Sequence, residues 1–132
     1  YTLVIVTPDG EKFRGEAKSL TVRTGSGDME ILAGHVSCLA SVATGRARVC
    51  FADDTERFAS ASGGILTVKG GEVELICTTF EWAENIDATR AEASQKRAET
   101  ILHKKDASDT ELQLAQARLH RALVRRSVAS YK

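Results

Sequence analysis

The chain has 132 residues, enough for one ordinary core, or a smaller core with an appendage, and too few for two full-sized domains. Its 18 Lys/Arg and 18 Asp/Glu cancel, but unevenly: residues 1–85 hold 8 basic against 12 acidic groups and residues 86–132 hold 10 against 6, net charges of −4 and +4. No apolar run approaches the ~20 residues of a membrane-spanning helix and no charged-then-apolar leader opens the chain, so a membrane role is expected only through a partner.

From Thr2 to Thr79 short apolar runs are cut by turn chemistry. "TLVIVT" ends at "PDG" (Pro8 to Gly10), "SLTVR" at "TGSG", "ARVCF" at "ADDT", "ILTV" at "KGG", and "EVELICTT" closes the series. β-branched residues dominate and turn signals recur about every 8 to 12 residues, the spacing of a sandwich or barrel. This part is predicted to be all-β. Cys38, Cys50 and Cys77 are odd in number, widely spaced and flanked by apolar or small residues, which predicts buried free thiols and suits a reducing compartment. A zinc site needs paired ligands at close spacing, and His35, His103 and His120 supply none.

Catalytic motifs fail on spacing. "TGSGD" has Gly25 and Gly27 but no third glycine, no following lysine and no helical pattern behind it, so neither a dinucleotide loop nor a P-loop is present. "SASGG" around Ser62 lacks the first glycine of a nucleophile elbow, and a strand followed by a turn is the simpler reading. A pairing of Ser62 with His35 is the one catalytic arrangement sequence leaves open. Nucleic-acid binding is disfavoured, because the basic charge is confined to one short region and aromatics are only 5% of the chain.

From Ile86 onward Ala, Glu, Gln, Lys, Arg and Leu take over, and neither Gly nor Pro occurs after Gly71. Asp87 is placed to cap a helix with Ala91, Ala98, Ile101 and Leu102 among its apolar positions. "HKKDASD" (His103 to Asp109) breaks the periodicity, and Ser108 or Asp109 then caps a second helix with Leu112, Ala115, Leu119 and Leu123 on one stripe. Asp109 and Glu111 in its first turn and Arg125 and Arg126 near its last follow the helix macrodipole. Two helices of about five turns joined by a short link make a hairpin. Its stripes are narrow and alanine-rich, so at ~25 cal/mol per Å² it is marginal alone and leans on something else, or moves.

On the first helix Asp87, Arg90 and Arg97 share a face, and on the second Arg118, Arg121 and Arg125 do the same. If the helices are antiparallel, Arg90 and Arg97 come near Arg125 and Arg121. Four guanidinium groups at that density need solvation or an anion, and a polyphosphate fits because planar guanidinium groups donate in pairs to phosphate oxygens and helix-start amides add to the attraction. The plainer reading, which pattern alone favours, is a solvated basic face with scattered salt bridges to Glu92, Glu99 and Glu111.

These residues carry a resemblance. "VTPDG", "GDMEILAGH" (Gly27 to His35), "SGGILTV" (Ser62 to Val68), "IDATRA" (Ile86 to Ala91) and the terminal "RSVASYK" together resemble the epsilon subunit of bacterial F-type ATP synthases, end to end. The resemblance implies a sandwich of about ten β-strands over residues 1–84, followed over 85–132 by a C-terminal antiparallel α-helical hairpin. It implies a non-catalytic subunit of a proton- or sodium-translocating synthase, peripheral on the cytoplasmic face of the cell inner membrane. There the sandwich couples the gamma subunit to the c ring, and the extended hairpin blocks ATP hydrolysis in the alpha/beta head.

Some members of that family bind ATP on the folded hairpin through Ile/Leu-Asp, two residues, Arg-Ala. The matching positions are Ile86, Asp87, Arg90 and Ala91, and the further nucleotide-binding positions fall on Glu81, Arg97, Arg121 and Arg125. Glu81 and Asp87 are then expected to accept hydrogen bonds from adenine or ribose, the arginines to meet phosphate or the other helix, and Trp82 to cover or pack the joint. No general base and metal pair is evident, so ATP, with or without magnesium, is expected to be sensed and not split. The resemblance also assigns inhibitory contacts with the beta subunits to Arg118, Arg121, Arg125 and Arg126, and gamma or c-ring contacts to Met29, Glu30 and His35. Many relatives have glycine at the position of Glu30 and proline at those of Ala33 and Ser37. Two other readings stand beside this one, a structural stalk subunit that binds no nucleotide and an unrelated anion-binding sandwich.

Overall fold

The computed structural model describes residues 1–131. The chain divides into two compact units, Tyr1–Trp82 and a second from Ala83 onward, where sequence placed the change at 84/85.

The first unit is a β-sandwich of eight strands: β1 (Thr2–Thr7), β2 (Gly10–Glu16), β3 (Ser19–Thr24), β4 (Gly27–Leu32), β5 (Cys38–Val42), β6 (Gly45–Cys50), β7 (Glu56–Lys69) and β8 (Glu72–Trp82). They hydrogen-bond in the order β2-β1-β8-β7-β6-β3-β4, with β5 on β7. Only β1 and β8 are parallel, from Thr2 opposite Glu72 to Val6 opposite Ile76. Eight strands stand where about ten were expected because β7, at 14 residues, serves as partner to two strands in turn. Its first half pairs with β6, Ala61 opposite Gly45, and its second with β5, Gly64 opposite Val42.

The change of partner falls at Gly63–Gly64, inside "SGGILTV". Gly63 has φ +57°, in the left-handed region that favours glycine, and a Cβ on Gly64 would lie 2.1 Å from the Ile76 carbonyl oxygen of β8. The glycine pair is therefore what lets β7 bend and still lie tightly against β8.

Alternation builds the core. Leu20 and Val22 of β3, Ala47 and Val49 of β6, Leu66 and Val68 of β7, and Val73, Leu75 and Cys77 of β8 point inward, joined by Leu3, Ile5 and Ile31. Each large aliphatic side chain so buried contributes about 1.5–3 kcal/mol. Of the three cysteines only Cys77 is buried. Cys38 and Cys50 are half-buried, a correction to the expectation of three buried thiols, and all three are free. Cys50 pairs with Glu56 at the end of its ladder, and Cys38 opens β5 beside the His35 loop, so neither position is enclosed by a strand on both sides in the way Cys77 is.

In the second unit a 3-10 turn (Ala83–Asn85) leads to α1 (Ala88–Leu102) and α2 (Asp109–Ala129). Asp87 caps α1 by accepting from the Arg90 amide at 3.1 Å, and Ser108 caps α2 by accepting from the Glu111 amide at 3.2 Å. The helices are unequal, 15 and 21 residues, where similar lengths were expected. They meet along a seam of small side chains, Ala91 and Ala98 against Ala115, Ala122 and Val128, all buried. Alanine lets the backbones approach closely but supplies little apolar area, so the pair is weakly held. No helix among the described residues is long and apolar enough to cross a membrane.

Candidate functional site

The register of the hairpin sets its chemistry. An Arg126 guanidinium N–H donates to Gln95 Oε1 at 2.6 Å, which makes the helices antiparallel and puts the end of α2 beside the middle of α1. With that register Arg97 of α1 and Arg118, Arg121 and Arg125 of α2 all line one open groove of about 370 Å³, with Ser94, Ala98 and Ile101 completing it. The volume lies within the roughly 300–1,000 Å³ typical of small-molecule sites. Its walls are mixed: the Ile101 and Ala98 side chains form an apolar side, and four guanidinium groups surround it.

These arginines are not consumed by the acids that a plain salt-bridge lattice would use. Glu92 pairs with Lys96 at 3.5 Å, Glu99 accepts from Gln95 at 2.9 Å, and Arg97 donates to the Ser94 hydroxyl at 3.1 Å. Arg118 and Arg121 enter no hydrogen bond or ion pair among the described residues. Four cations converging from two helices with little internal neutralisation make an anion site, and a planar fork on each suits phosphate oxygens.

The structure sorts the remaining expected residues. Arg97, Arg121 and Arg125 are brought together as the sequence proposed. Arg90 does not line the groove, because it precedes Gln95 on α1 and so stands level with the end of α2; Arg118, expected only as an inhibitory contact, lines the groove instead. Asp87 is committed through one carboxylate oxygen to capping α1. Ile86 and Ala91 are buried, each 2% exposed, and act as packing residues of the motif. Glu81 belongs to the sandwich unit, half-buried near the end of β8 and paired with Ser60 of β7.

On the sandwich, Met29 packs in part against the core, whereas Glu30 is exposed and lies 3.8 Å from Arg48. His35 accepts or donates locally, its Nδ1 2.8 Å from the Val36 carbonyl. Ser62 bonds the Thr44 hydroxyl at 2.8 Å, a sheet contact, and His35 is turned to its own loop. Trp82 ends β8 inside an aromatic cluster, edge-on to Phe80 and Phe13 at 4.9 and 5.9 Å. The Arg57 guanidinium sits over its ring at 3.7 Å, a cation–π contact that no local pattern announces.

Comparison with known proteins gives the same division. The beta-sandwich domain of the ATP synthase delta/epsilon chain matches residues 1–83, and its long alpha-helix domain matches residues 84–130. An ATP synthase epsilon chain of Bacillus velezensis is 40% identical over 125 residues, covering 95% of this chain and 93% of that one. The epsilon chain of Clostridium novyi is 38% identical over 125 residues, 95% and 94% of the two chains, and that of Ruminococcus albus 38% over 133 residues, 100% and 98%. Among solved structures, a chain of the Euglena gracilis mitochondrial ATP synthase, OSCP/F1/c-ring, superposes with TM-score 0.83 at 21% identity over 98% of this chain and 80% of that one. A chain of the Tetrahymena thermophila mitochondrial central stalk/c-ring gives 0.64 at 14% identity, 97% and 95% of the two. At those identities the likeness is one of fold.

Proposed function

The chain belongs to the ATP synthase delta/epsilon family, and from that premise we propose that it acts as the non-catalytic epsilon subunit of the central stalk, with a hairpin that senses ATP. Membership along the whole length removes the unrelated anion-binding sandwich as an alternative. The sandwich would couple the gamma subunit to the c ring, with Glu30, His35 and, through its exposed edge, Met29 as contacts. The protein would sit peripherally on the cytoplasmic face of the inner membrane of a proton- or sodium-translocating enzyme.

The observation that supports nucleotide sensing is the groove in which Arg97, Arg121 and Arg125 converge from both helices. A triphosphate held there ties α1 to α2, and a hairpin joined mostly through alanine gains more from such a clamp than a well-packed one would. The folded form is stabilised by RT ln(1 + [ATP]/Kd), so inhibition falls as ATP rises. When the hairpin opens, Arg118, Arg121, Arg125 and Arg126 are released to pair with acidic segments of the beta subunits and stop hydrolysis in the alpha/beta head.

Among the remaining positions, Asp87, Ile86 and Ala91 shape the start of α1, Glu81 supplies an acceptor for adenine or ribose, and Arg90 meets the ligand from the helix end. Magnesium would travel with the phosphates and needs no protein cage.

Calorimetric titration of the purified chain with ATP, with and without magnesium and repeated on Arg90→Ala, tests the sensor. A saturable site weakened by the substitution is expected, and a flat titration would leave only a structural stalk subunit. Cutting the chain after Glu84 is expected to raise ATP hydrolysis by the assembled enzyme; unchanged turnover would remove inhibition from the account.

A further inference from the structure

We propose that Arg118 is an additional ligand of the hairpin groove and reads the terminal phosphate, so that the site separates a nucleoside triphosphate from the diphosphate. This rests on the nucleotide reading of the groove and adds to it a residue and a selectivity.

The argument is one of direction and spacing. Arg125, Arg121 and Arg118 follow one another on α2 at intervals of four and three residues, on one face. At 1.5 Å of rise per residue they form a ladder of guanidinium groups about 10 Å long. Arg97 faces the ladder from α1, and Ile101, one turn further along α1, faces its Arg118 end. The ladder has a polarity, because α1 begins at the Arg125 end: there Asp87 turns the chain into the helix and Ile86 is buried beside it.

The acceptors and apolar surface suited to a base and ribose therefore lie at one end, and cations alone continue toward the other. A nucleotide whose base sits at the start of α1 must extend its phosphates from Arg125 past Arg121 and Arg97 toward Arg118. The last phosphate carries the most charge and is the only part that distinguishes ATP from ADP. Arg118 has no partner among the described residues to give up on meeting it. The apolar Ile101 side chain opposite reduces the water that would otherwise screen the contact.

The test compares ATP with ADP on the full purified chain by isothermal titration calorimetry, at fixed salt and magnesium. The proteins are the unaltered chain, Arg118→Gln, Arg118→Lys and, as a charge control, Lys96→Gln, which removes the same charge from an exposed site outside the groove. The expected result is that Arg118→Gln weakens ATP by at least about tenfold while ADP changes little, so the preference for triphosphate collapses. Arg118→Lys should recover part of it, since the charge remains and the fork is lost, and Lys96→Gln should preserve it. Equal losses for ATP and ADP, or no loss, would overturn the proposal while leaving the sensor standing. If the unaltered chain binds neither nucleotide, the sensor itself fails and this assignment with it.

Discussion

Arg126 of the last turn of α2 donates to Gln95 in the middle of α1 at 2.6 Å, across 31 residues of sequence. It is the hydrogen bond that joins the two helices side chain to side chain, and Arg126 is also one of the residues proposed to reach the beta subunits. Both roles are separable. The bond is exposed, so its net worth is about 0.5–1 kcal/mol. In the isolated chain Arg126→Ala should therefore raise amide exchange along α2 by two- to five-fold. Exchange equal to that of the unaltered chain would assign Arg126 to the partner contact alone.

Asp87 has two jobs in the proposed sensor, helix cap and ligand acceptor, and a pair of substitutions divides them. Asp87→Ala loses the bond to the Arg90 amide, at about 1 kcal/mol of helix stability, and should weaken ATP as well. Asp87→Ser keeps a capping oxygen without the carboxylate. Far-ultraviolet circular dichroism should then show helix content restored, while calorimetry shows ATP affinity still reduced. If Ser restores both, the carboxylate touches no nucleotide and the motif's aspartate is a cap.

The glycine pair of β7 gives a sharper stability contrast. A Cβ on Gly64 would meet the Ile76 carbonyl oxygen at 2.1 Å, and that atom is fixed in the ladder, so Gly64→Ala must push β7 and β8 apart. A cost of about 2–4 kcal/mol is expected in urea unfolding of the sandwich. Gly71→Ala, where nothing stands within 4 Å, should change the midpoint little. Similar midpoints for the two variants would mean that β7 relaxes freely at its bend.

Much of this was legible in the sequence, and what was not has a physical cause. Strands β1, β3, β6 and β8 announced themselves because their buried faces alternate or run apolar. β2, "GEKFRGE", did not, because as an edge strand it buries nothing fully and so carries no apolar period. β4 buries only Ile31 fully, and the first half of β7 is small and polar. Both helix caps were readable from residue type. The arginine face was readable too, but its membership depends on the register of the hairpin, which is set by where alanines meet. Spacing therefore found Arg97, Arg121 and Arg125 and chose Arg90 over Arg118. Arg57 over Trp82 joins two strands and leaves no trace in either segment.

Cys77 sets a pH dependence that its neighbours do not share. Burial in the core pushes its thiol up from 9.0 to about 11, whereas Cys38 and Cys50 are half-buried. At pH 8 a disulfide reagent should therefore modify Cys38 and Cys50 on the native chain and reach Cys77 only after unfolding. The sign of the stability effect follows. Below pH 9 the thiol is protonated in both the folded and the unfolded chain, so it contributes no slope. Between about 9 and 11 the unfolded chain loses the proton and the folded one keeps it, so stability falls as pH rises. Cys77→Ala removes this titration and retains those of the lysines and tyrosines. The urea midpoint of the unaltered chain should thus fall more steeply than that of Cys77→Ala from pH 8.5 to 10.5, and parallel slopes would mean that the thiol ionises as readily inside the fold as outside it.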